Sequence, residues 1–156
     1  MPSLQVEQWV PALSPAAPGR DDEFERRGIE SRIWLEDRPV VLVVDDDEDA
    51  RETVATLLGG HGLSVVQVST GEAALTVAAC FPVAAIILDV LLPDWTGFDV
   101  CRALRADPAT REIPVIMLTA LTEVAEEVSG VLAGADAFLV KPASRQKLLQ
   151  HLRDLI

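Results

Sequence analysis

The sequence predicts an α/β protein: a doubly wound sheet of five parallel strands in the order 2-1-3-4-5, with helices on both sides. Two observations support this prediction. Short, continuous apolar runs, typical of strands buried on both faces, alternate with segments of helical periodicity. Five such strand–helix units fit between residues 39 and 156, a spacing that suits short right-handed crossovers.

The chain carries start and stop signals between these units. Gly59 ends the first helix, Thr70 is the expected N-cap of the second, and Asp107 and Gly134 end the third and fourth. We predict strands at 40–44, 63–68, 83–88, 114–118 and 137–140, and helices at 50–58, 72–79, 98–106, 122–132 and 144–155.

Residues 1–38 differ from the rest of the chain. Prolines punctuate this stretch, neither hydrophobic period is present, and residues 21–27 form a mixed charge run. We therefore predict a flexible N-terminal arm followed by one folded domain over 39–156. The arm carries Trp9 and Trp34, and two interpretations of such apolar groups stay open: they pack on the domain or a partner, or they have no role.

Composition excludes several classes of function. The chain has 13 Lys and Arg against 25 Asp and Glu, a net charge of -12, which would repel nucleic-acid phosphates and anionic lipid surfaces. The apolar stretch 77–88 is broken by Pro82 and is shorter than the roughly 18 residues of a membrane helix. With no basic leader at the start either, we expect a cytoplasmic protein. Cys80 and Cys101 have no metal or disulfide spacing, and we expect both to be small buried residues.

Polar residues stand where the predicted strands end. Asp45, Asp46 and Asp47 follow the first strand, Asp89 the third, Thr119 the fourth and Lys141 the fifth. In such a sheet the carboxyl ends of the strands share one edge, where ligands bind. Carboxylates gathered there repel one another unless a cation neutralises them, and Mg²⁺ prefers such oxygen ligands. The ammonium of a lysine and the hydroxyl of a threonine suit an anionic group with three equatorial oxygens.

This set of side chains predicts phosphoryl transfer onto a carboxylate. Asp89 is the expected nucleophile, because it stands alone after an apolar central strand. Asp45 and Asp46 are adjacent and fit a metal-holding pair. We interpret Asp47, Glu48 and Asp49 as the acidic start of the first helix.

Residues 39–156 resemble a response-regulator receiver domain of bacterial two-component signalling, of the chemotaxis-regulator type. The matching pieces are Val43-Val44-Asp45-Asp46, Gly71-Glu72-Ala73-Ala74-Leu75, Leu88-Asp89 with Leu92-Pro93 and Gly97, Met117-Leu118-Thr119-Ala120, Gly134-Ala135-Asp136 and Val140-Lys141-Pro142. Each piece alone is weak, but together and in order they are specific. The resemblance implies a flavodoxin-like (βα)5 fold.

The resemblance also implies a role for each residue. Asp89 would accept a phosphoryl group from a phosphohistidine of a sensor histidine kinase or a histidine phosphotransfer protein. Mg²⁺ would be held by the side chains of Asp46 and Asp89, by the backbone carbonyl of Leu91 and, through water, by Asp45. Lys141 and the Thr119 hydroxyl would contact the phosphoryl oxygens, and self-catalysed transfer and dephosphorylation would be the only reactions.

Phe138 would be the aromatic switch residue, turning inward as Thr119 moves. A strand Phe is also a common core residue, and this alternative stays open. Phosphorylation would shift an equilibrium of the face built from the fourth helix, fifth strand and fifth helix, which partners read.

The sequence departs from the family pattern at a few positions. Ala143 follows Lys141-Pro142 where an aromatic residue is common. Leu91 and Leu121 flank the path of an attacking water and cannot orient it by hydrogen bonds, so we expect slow dephosphorylation.

Two other functions compete with the phosphoacceptor hypothesis. One is a degenerate receiver that acts as a phosphorylation-independent interaction module. The other is a haloacid-dehalogenase-type phosphohydrolase with Asp45 as nucleophile and Asp47 as acid. Against the hydrolase, Asp49 stands where that family has Thr or Val, and the chain has no room for a cap domain. A downstream protein target, an appended effector domain and a homodimer are all compatible with the sequence.

Overall fold

The computed structural model describes the backbone of residues 4–5 and residues 38–120, 129, 131 and 133–156. The predicted arm therefore lies outside the described residues except for Leu4, Gln5 and Arg38. The predicted helix 122–132 also lies outside them, except for Ser129 and Val131, which are helical.

The described part of the chain forms a parallel sheet with helices on both faces. Its strands are β1 (Leu4–Gln5), β2 (Val40–Val44), β3 (Ser64–Val68), β4 (Ala85–Leu88), β5 (Val115–Thr119) and β6 (Ala137–Val140). Its helices are α1 (Glu48–Gly59), α2 (Gly71–Cys80), α3 (Gly97–Ala106) and α4 (Arg145–Leu155). The strand order is β1-β3-β2-β4-β5-β6, and every pairing is parallel.

The order β3-β2-β4-β5-β6 is the predicted 2-1-3-4-5 order, so the predicted fold class is confirmed. Strand β1 is an addition at the edge, where Leu4 pairs with Val66 and Gln5 with Gln67. Two residues are too few to show a hydrophobic period, which explains why the sequence pattern did not predict this strand.

Side-chain caps fix where the helices begin. The Asp47 carboxylate accepts a hydrogen bond from the Asp49 N–H at 3.0 Å, so α1 begins at Glu48, two residues before the predicted start. Thr70 caps α2 as predicted, its hydroxyl accepting from the Ala73 N–H at 3.1 Å. Such caps satisfy N–H groups that a helix cannot bond internally. The acidic helix start predicted at residues 47–49 is confirmed.

The core forms two clusters, one on each face of the sheet, because successive strand residues point to opposite sides. On β2, Leu42 and Val44 pack towards α2 and α3, whereas Val41 and Val43 pack towards α1 and α4. The leucines of α4 face the cluster that contains Val41 and Val43, with Leu148, Leu149 and Leu152 buried. The four β2 residues named above are at most 2% exposed, because β2 lies inside the sheet between β3 and β4.

The two cysteines differ in exposure. Cys101 is buried in the core on α3, and burial raises the pKa of its thiol above the ordinary value. Cys80 is the last residue of α2 and is exposed, so the expectation that it is buried was wrong. Helical spacing locates a residue on a helix, but the final turn can leave the packed face. None of the helices in the described ranges is long and apolar enough to cross a membrane.

Candidate functional site

The carboxyl ends of β2 and β4 bring three carboxylates together. Asp45 and Asp46 follow β2 and Asp89 follows β4, and one oxygen from each lies within 4.8 Å of the others. The strands are neighbours, with Val44 paired to Leu88, so the residues that follow them lie side by side. Asp45 and Asp89 are buried, at 6% and 7% exposure, while Asp46 is exposed. This acidic cluster has the oxygen ligands that a hard divalent cation prefers.

Lys141 reaches the acidic cluster from the end of β6. Its Nζ lies 2.5 Å from Asp45 Oδ2 and 3.2 Å from Asp89 Oδ2. Its backbone N–H donates to the Thr119 carbonyl at 2.7 Å, and the Lys141–Pro142 peptide bond is cis. Burial acts to lower the pKa of Lys141, but the hydrogen bond and charge of Asp45 and the charge of Asp89 outweigh it and raise the pKa above 10.5. The side chain is therefore an ammonium ion at neutral pH.

Thr119 lies on β5, next to β4, and Phe138 lies on β6, the edge strand beyond it. Thr119 was predicted to follow the fourth strand directly. In the structure it is instead the last residue of that strand, β5, and it is fully buried. Phe138 on β6 pairs with Met117 and is partly buried against the α2–α3 side of the core. This packing fits a core residue, and the switch role of Phe138 stays a prediction.

The loop after Asp89 folds tightly against the start of α3. The Leu91 N–H donates to Asp89 Oδ1 at 3.3 Å, and the Gly97 N–H donates to the Val90 carbonyl at 2.7 Å. A Cβ on Gly97 would lie 2.3 Å from the Asp89 carbonyl oxygen, so this close approach requires glycine. The Leu91 side chain is 55% exposed at the rim. Leu121, its proposed counterpart in controlling water access, lies outside the described residues.

Asp94 ties this loop to α2, a link that the sequence analysis missed. Its Oδ1 accepts from the Gly71 N–H at 2.8 Å and its Oδ2 from the Glu72 N–H at 2.9 Å. Desolvation acts to raise the pKa of Asp94, but the backbone N–H groups of Glu72, Gly71 and Trp95 together hold the pKa below 3.8. No local pattern marks the link, because the partners lie more than twenty residues apart.

The chain belongs to the family whose model is described as the response regulator receiver domain, which matches residues 41–153. The DNA-binding response regulator MtrA of Mycobacterium tuberculosis is 37% identical over 116 residues, covering 74% of this chain and 50% of that protein. The chain spans about half the length of the curated relatives it matches.

Solved structures agree with this assignment. A chemotaxis protein of Vibrio cholerae has a TM-score of 0.71 and 33% identity, covering 76% of this chain and 99% of that one. The receiver domain of a sensor histidine kinase from Pseudomonas aeruginosa has a TM-score of 0.71 and 28% identity, over 76% of this chain and 97% of that one. The latter structure has a magnesium ion coordinated in its active-site cleft. The resemblance to a receiver domain is thereby confirmed.

Proposed function

We propose that the chain is a phosphoacceptor: Asp89 takes a phosphoryl group from a phosphohistidine of a sensor histidine kinase or a histidine phosphotransfer protein. The observation that supports this most is the position of Asp89, a buried carboxylate that lies close to two further carboxylates and 3.2 Å from the Lys141 ammonium. A buried carboxylate in a merely structural role is normally neutralised by its partners. Here the acidic cluster keeps an excess of negative charge.

The chemistry follows from these groups. A carboxylate oxygen of Asp89 forms a bond to phosphorus, the bond from phosphorus to the histidine nitrogen breaks, and its electron pair leaves with the imidazole. Lys141, which already lies 3.2 Å from Asp89, neutralises negative charge on the phosphoryl oxygens. The Thr119 hydroxyl donates a hydrogen bond to one of them. The product is an aspartyl phosphate.

Mg²⁺ is the proposed cofactor, held by the carboxylates of Asp46 and Asp89 and the Leu91 carbonyl, with Asp45 acting through water. The donor set fits the ion, because three carboxylates converge within 4.8 Å with only one described ammonium beside them. Bound there, the ion would neutralise charge on the phosphoryl group during transfer.

Two surfaces are candidates for the partners. A cavity of about 360 Å³ opens beside Lys141, between α1 and the start of α4, and is lined largely by apolar side chains such as Val54, Leu57 and Leu148. We propose that the phosphodonor docks there. Val131 and Val140 are exposed, at 63% and 41%. Val131 belongs to the predicted fourth helix, 122–132, and Val140 to β6; with α4, these elements form the face that we propose binds a protein target, an appended effector domain or a second copy.

The test is intact-mass analysis after incubation with acetyl phosphate. We expect one phosphate adduct on the unsubstituted protein with Mg²⁺, and none with a chelator or with Asp89→Asn. Asp99→Asn is a matched control, since Asp99 is an exposed carboxylate in the first turn of α3. An adduct that persists in Asp89→Asn would contradict the assignment.

Two further assays, combined with the mass measurement, separate the remaining hypotheses. Absence of an adduct, together with absence of beryllofluoride binding, would favour a phosphorylation-independent interaction module. Release of phosphate from small phosphomonoesters would favour a hydrolase. We expect the adduct to decay slowly because Leu91 and Leu121 are apolar, and decay within seconds would contradict this expectation.

A further inference from the structure

Arg51, which the proposed mechanism does not use, lies buried directly behind the acidic cluster. It belongs to α1, and only 8% of its surface is exposed. Its Nη1 donates to the Asp45 backbone carbonyl at 2.7 Å, and its own N–H donates to the Asp47 carbonyl at 3.1 Å. Arg51 therefore closes residues 45–51 into a compact turn through one side-chain and one backbone hydrogen bond.

Burying this guanidinium is costly, because one of its donors, Nε, lacks a hydrogen-bond partner among the described residues. In the described part of the chain, Arg51 Nε is buried without a hydrogen-bond partner, as is Gln67 Oε1 on the neighbouring strand. A buried polar group lacking a partner destabilises a protein, and a buried cation more so. An apolar side chain would fill the space between helix and sheet at lower cost. The bond to the Asp45 carbonyl is what the arginine adds.

The hydrogen bond from Arg51 to the Asp45 carbonyl constrains the backbone that orients the carboxylates of Asp45 and Asp46. The Asp45 N–H donates to the Val68 carbonyl at 3.2 Å, and the Asp47 N–H donates to Asp45 Oδ1 at 3.0 Å. Between these residues, Asp46 is exposed and no neighbouring side chain in the described ranges bonds its carboxylate. The direction of the Asp46 carboxylate is therefore set mainly by the conformation of its backbone. Arg51 fixes that backbone through its hydrogen bond to the Asp45 carbonyl.

We propose that Arg51 is a positioning residue for the divalent cation. By donating a hydrogen bond to the Asp45 carbonyl, it fixes the backbone of residues 45–47, so that the carboxylates of the acidic cluster converge. This inference rests on the proposed function, since it assigns the acidic cluster to a cation. Groups that orient metal ligands typically contribute about 10- to 100-fold in metal affinity. Here a single neutral acceptor is held, so we expect the lower end of that range.

The test is titration with MgCl₂ alone, followed through the backbone amide resonances of Asp46, Asp89 and Leu91 by NMR. We expect Arg51→Met to weaken Mg²⁺ binding about tenfold. Gln67→Met is the matched control, because it removes a buried polar side chain from the same helix–sheet interface without touching the Asp45 carbonyl. It should bind Mg²⁺ within threefold of the unsubstituted protein.

A second readout needs no metal. Amide exchange of the Asp47 N–H in the metal-free protein should be more than threefold faster in Arg51→Met than in Gln67→Met. Should Arg51→Met fail to fold, Arg51→Lys serves instead, with the same directions expected. Equal Mg²⁺ affinity and equal exchange in the two variants would overturn the positioning role, as would equal weakening by both. Failure of the unsubstituted protein to bind Mg²⁺ would count against the proposed function, and the exchange measurement would still decide the role of Arg51.

Discussion

The apolar interior of the sheet and its acidic rim belong to the same strands but contribute to stability with opposite signs. Val44 is 1% exposed and Asp45, the next residue, is 6% exposed, so the two are almost equally shielded from water. Burying an aliphatic side chain stabilises a fold by about 1.5–3 kcal/mol. Burying a carboxylate costs free energy unless a partner compensates it.

Because of this difference, the contribution of the apolar interior to stability can be measured separately from that of the acidic rim. The two hydrophobic clusters of the described residues consist of uncharged side chains, and their contribution to stability depends on packing. The rim gathers three carboxylates beside Lys141, the ammonium that the described residues place against Asp45 and Asp89. Substitutions in the interior should therefore change stability at any ionic condition. Those at the rim should change it in ways that depend on pH and on Mg²⁺.

The largest effect on stability is expected from the interior. Leu42 is fully buried at the centre of β2, and Leu42→Ala should lower the free energy of unfolding by about 3 kcal/mol, through lost burial and the cavity left behind. Urea unfolding of the metal-free protein measures it. The control is Leu91→Ala, on a side chain that is 55% exposed, with an expected change under about 0.5 kcal/mol. Similar losses in the two variants would contradict the contrast between interior and rim.

At the rim, Lys141→Met should cost about 2 kcal/mol in the metal-free protein, because it leaves Asp45 and Asp89 buried without their cation. This figure is discounted for solvent screening, since the Lys141 side chain is 26% exposed. Lys147→Met, on an exposed residue of α4, should cost little. Chemical unfolding near neutral pH measures both. Equal effects of the two substitutions would show that the ion pairs contribute nothing.

The contribution of Lys141 to the free energy of unfolding should also depend on pH, and it should decrease at high pH. Its folded-state pKa is raised above 10.5, so the stabilisation is fully present below that value. It should be lost as pH rises through the raised folded-state pKa. The stability difference between the unsubstituted protein and Lys141→Met should therefore narrow under alkaline conditions, and a widening difference would contradict the assignment.

Whether a feature of the fold or of the site could be predicted from the sequence depends on how far apart along the chain the interacting residues lie. The strands of the central sheet were predictable because buried runs such as 40–44 and 114–118 lie between clear turn signals. The gathering of Asp45, Asp46 and Asp89 was predictable as well, since parallel strands share one edge. Order along the chain was enough for both.

Interactions between distant parts of the chain were not predictable. Asp94 bonds the N–H groups of α2, and no local pattern records a contact across more than twenty residues. Arg51 lies one helical turn after Asp47, a position that indicates a helix but not a side chain folded back onto the Asp45 carbonyl. Strand β1 is too short to have a period. These features need the three-dimensional arrangement.

A smaller loss is expected where the rim is tied to the helices. Asp94→Ala should lower the free energy of unfolding by about 1 kcal/mol, the usual effect of losing a side-chain acceptor at a helix start. Asp94→Asn should lose less, because the amide oxygen can still accept. The pKa of Asp94 is lowered, so its contribution is present above 3.8 and is lost as pH falls through the folded-state value. Equal stability of the unsubstituted protein and Asp94→Ala near neutral pH would contradict this role.

The smallest effect should have the opposite sign. Asp46 adds a third negative charge to a cluster that has one ammonium, so Asp46→Asn should raise the stability of the metal-free protein by about 0.5 kcal/mol. Asp49→Asn is the control: Asp49 stands in the first turn of α1, where a carboxylate favours the helix dipole, and its loss should lower stability slightly.

Adding Mg²⁺ should reverse the ranking between Asp46→Asn and the unsubstituted protein. A ligand that binds only the folded state stabilises it according to its affinity, and the affinity should fall when a carboxylate ligand is removed. Thermal unfolding with and without Mg²⁺ measures both parts, and a destabilised metal-free Asp46→Asn would contradict the proposed repulsion. If the ranking does reverse, the same carboxylate opposes folding without the ion and favours the folded state with it, which distinguishes a binding residue from a structural one.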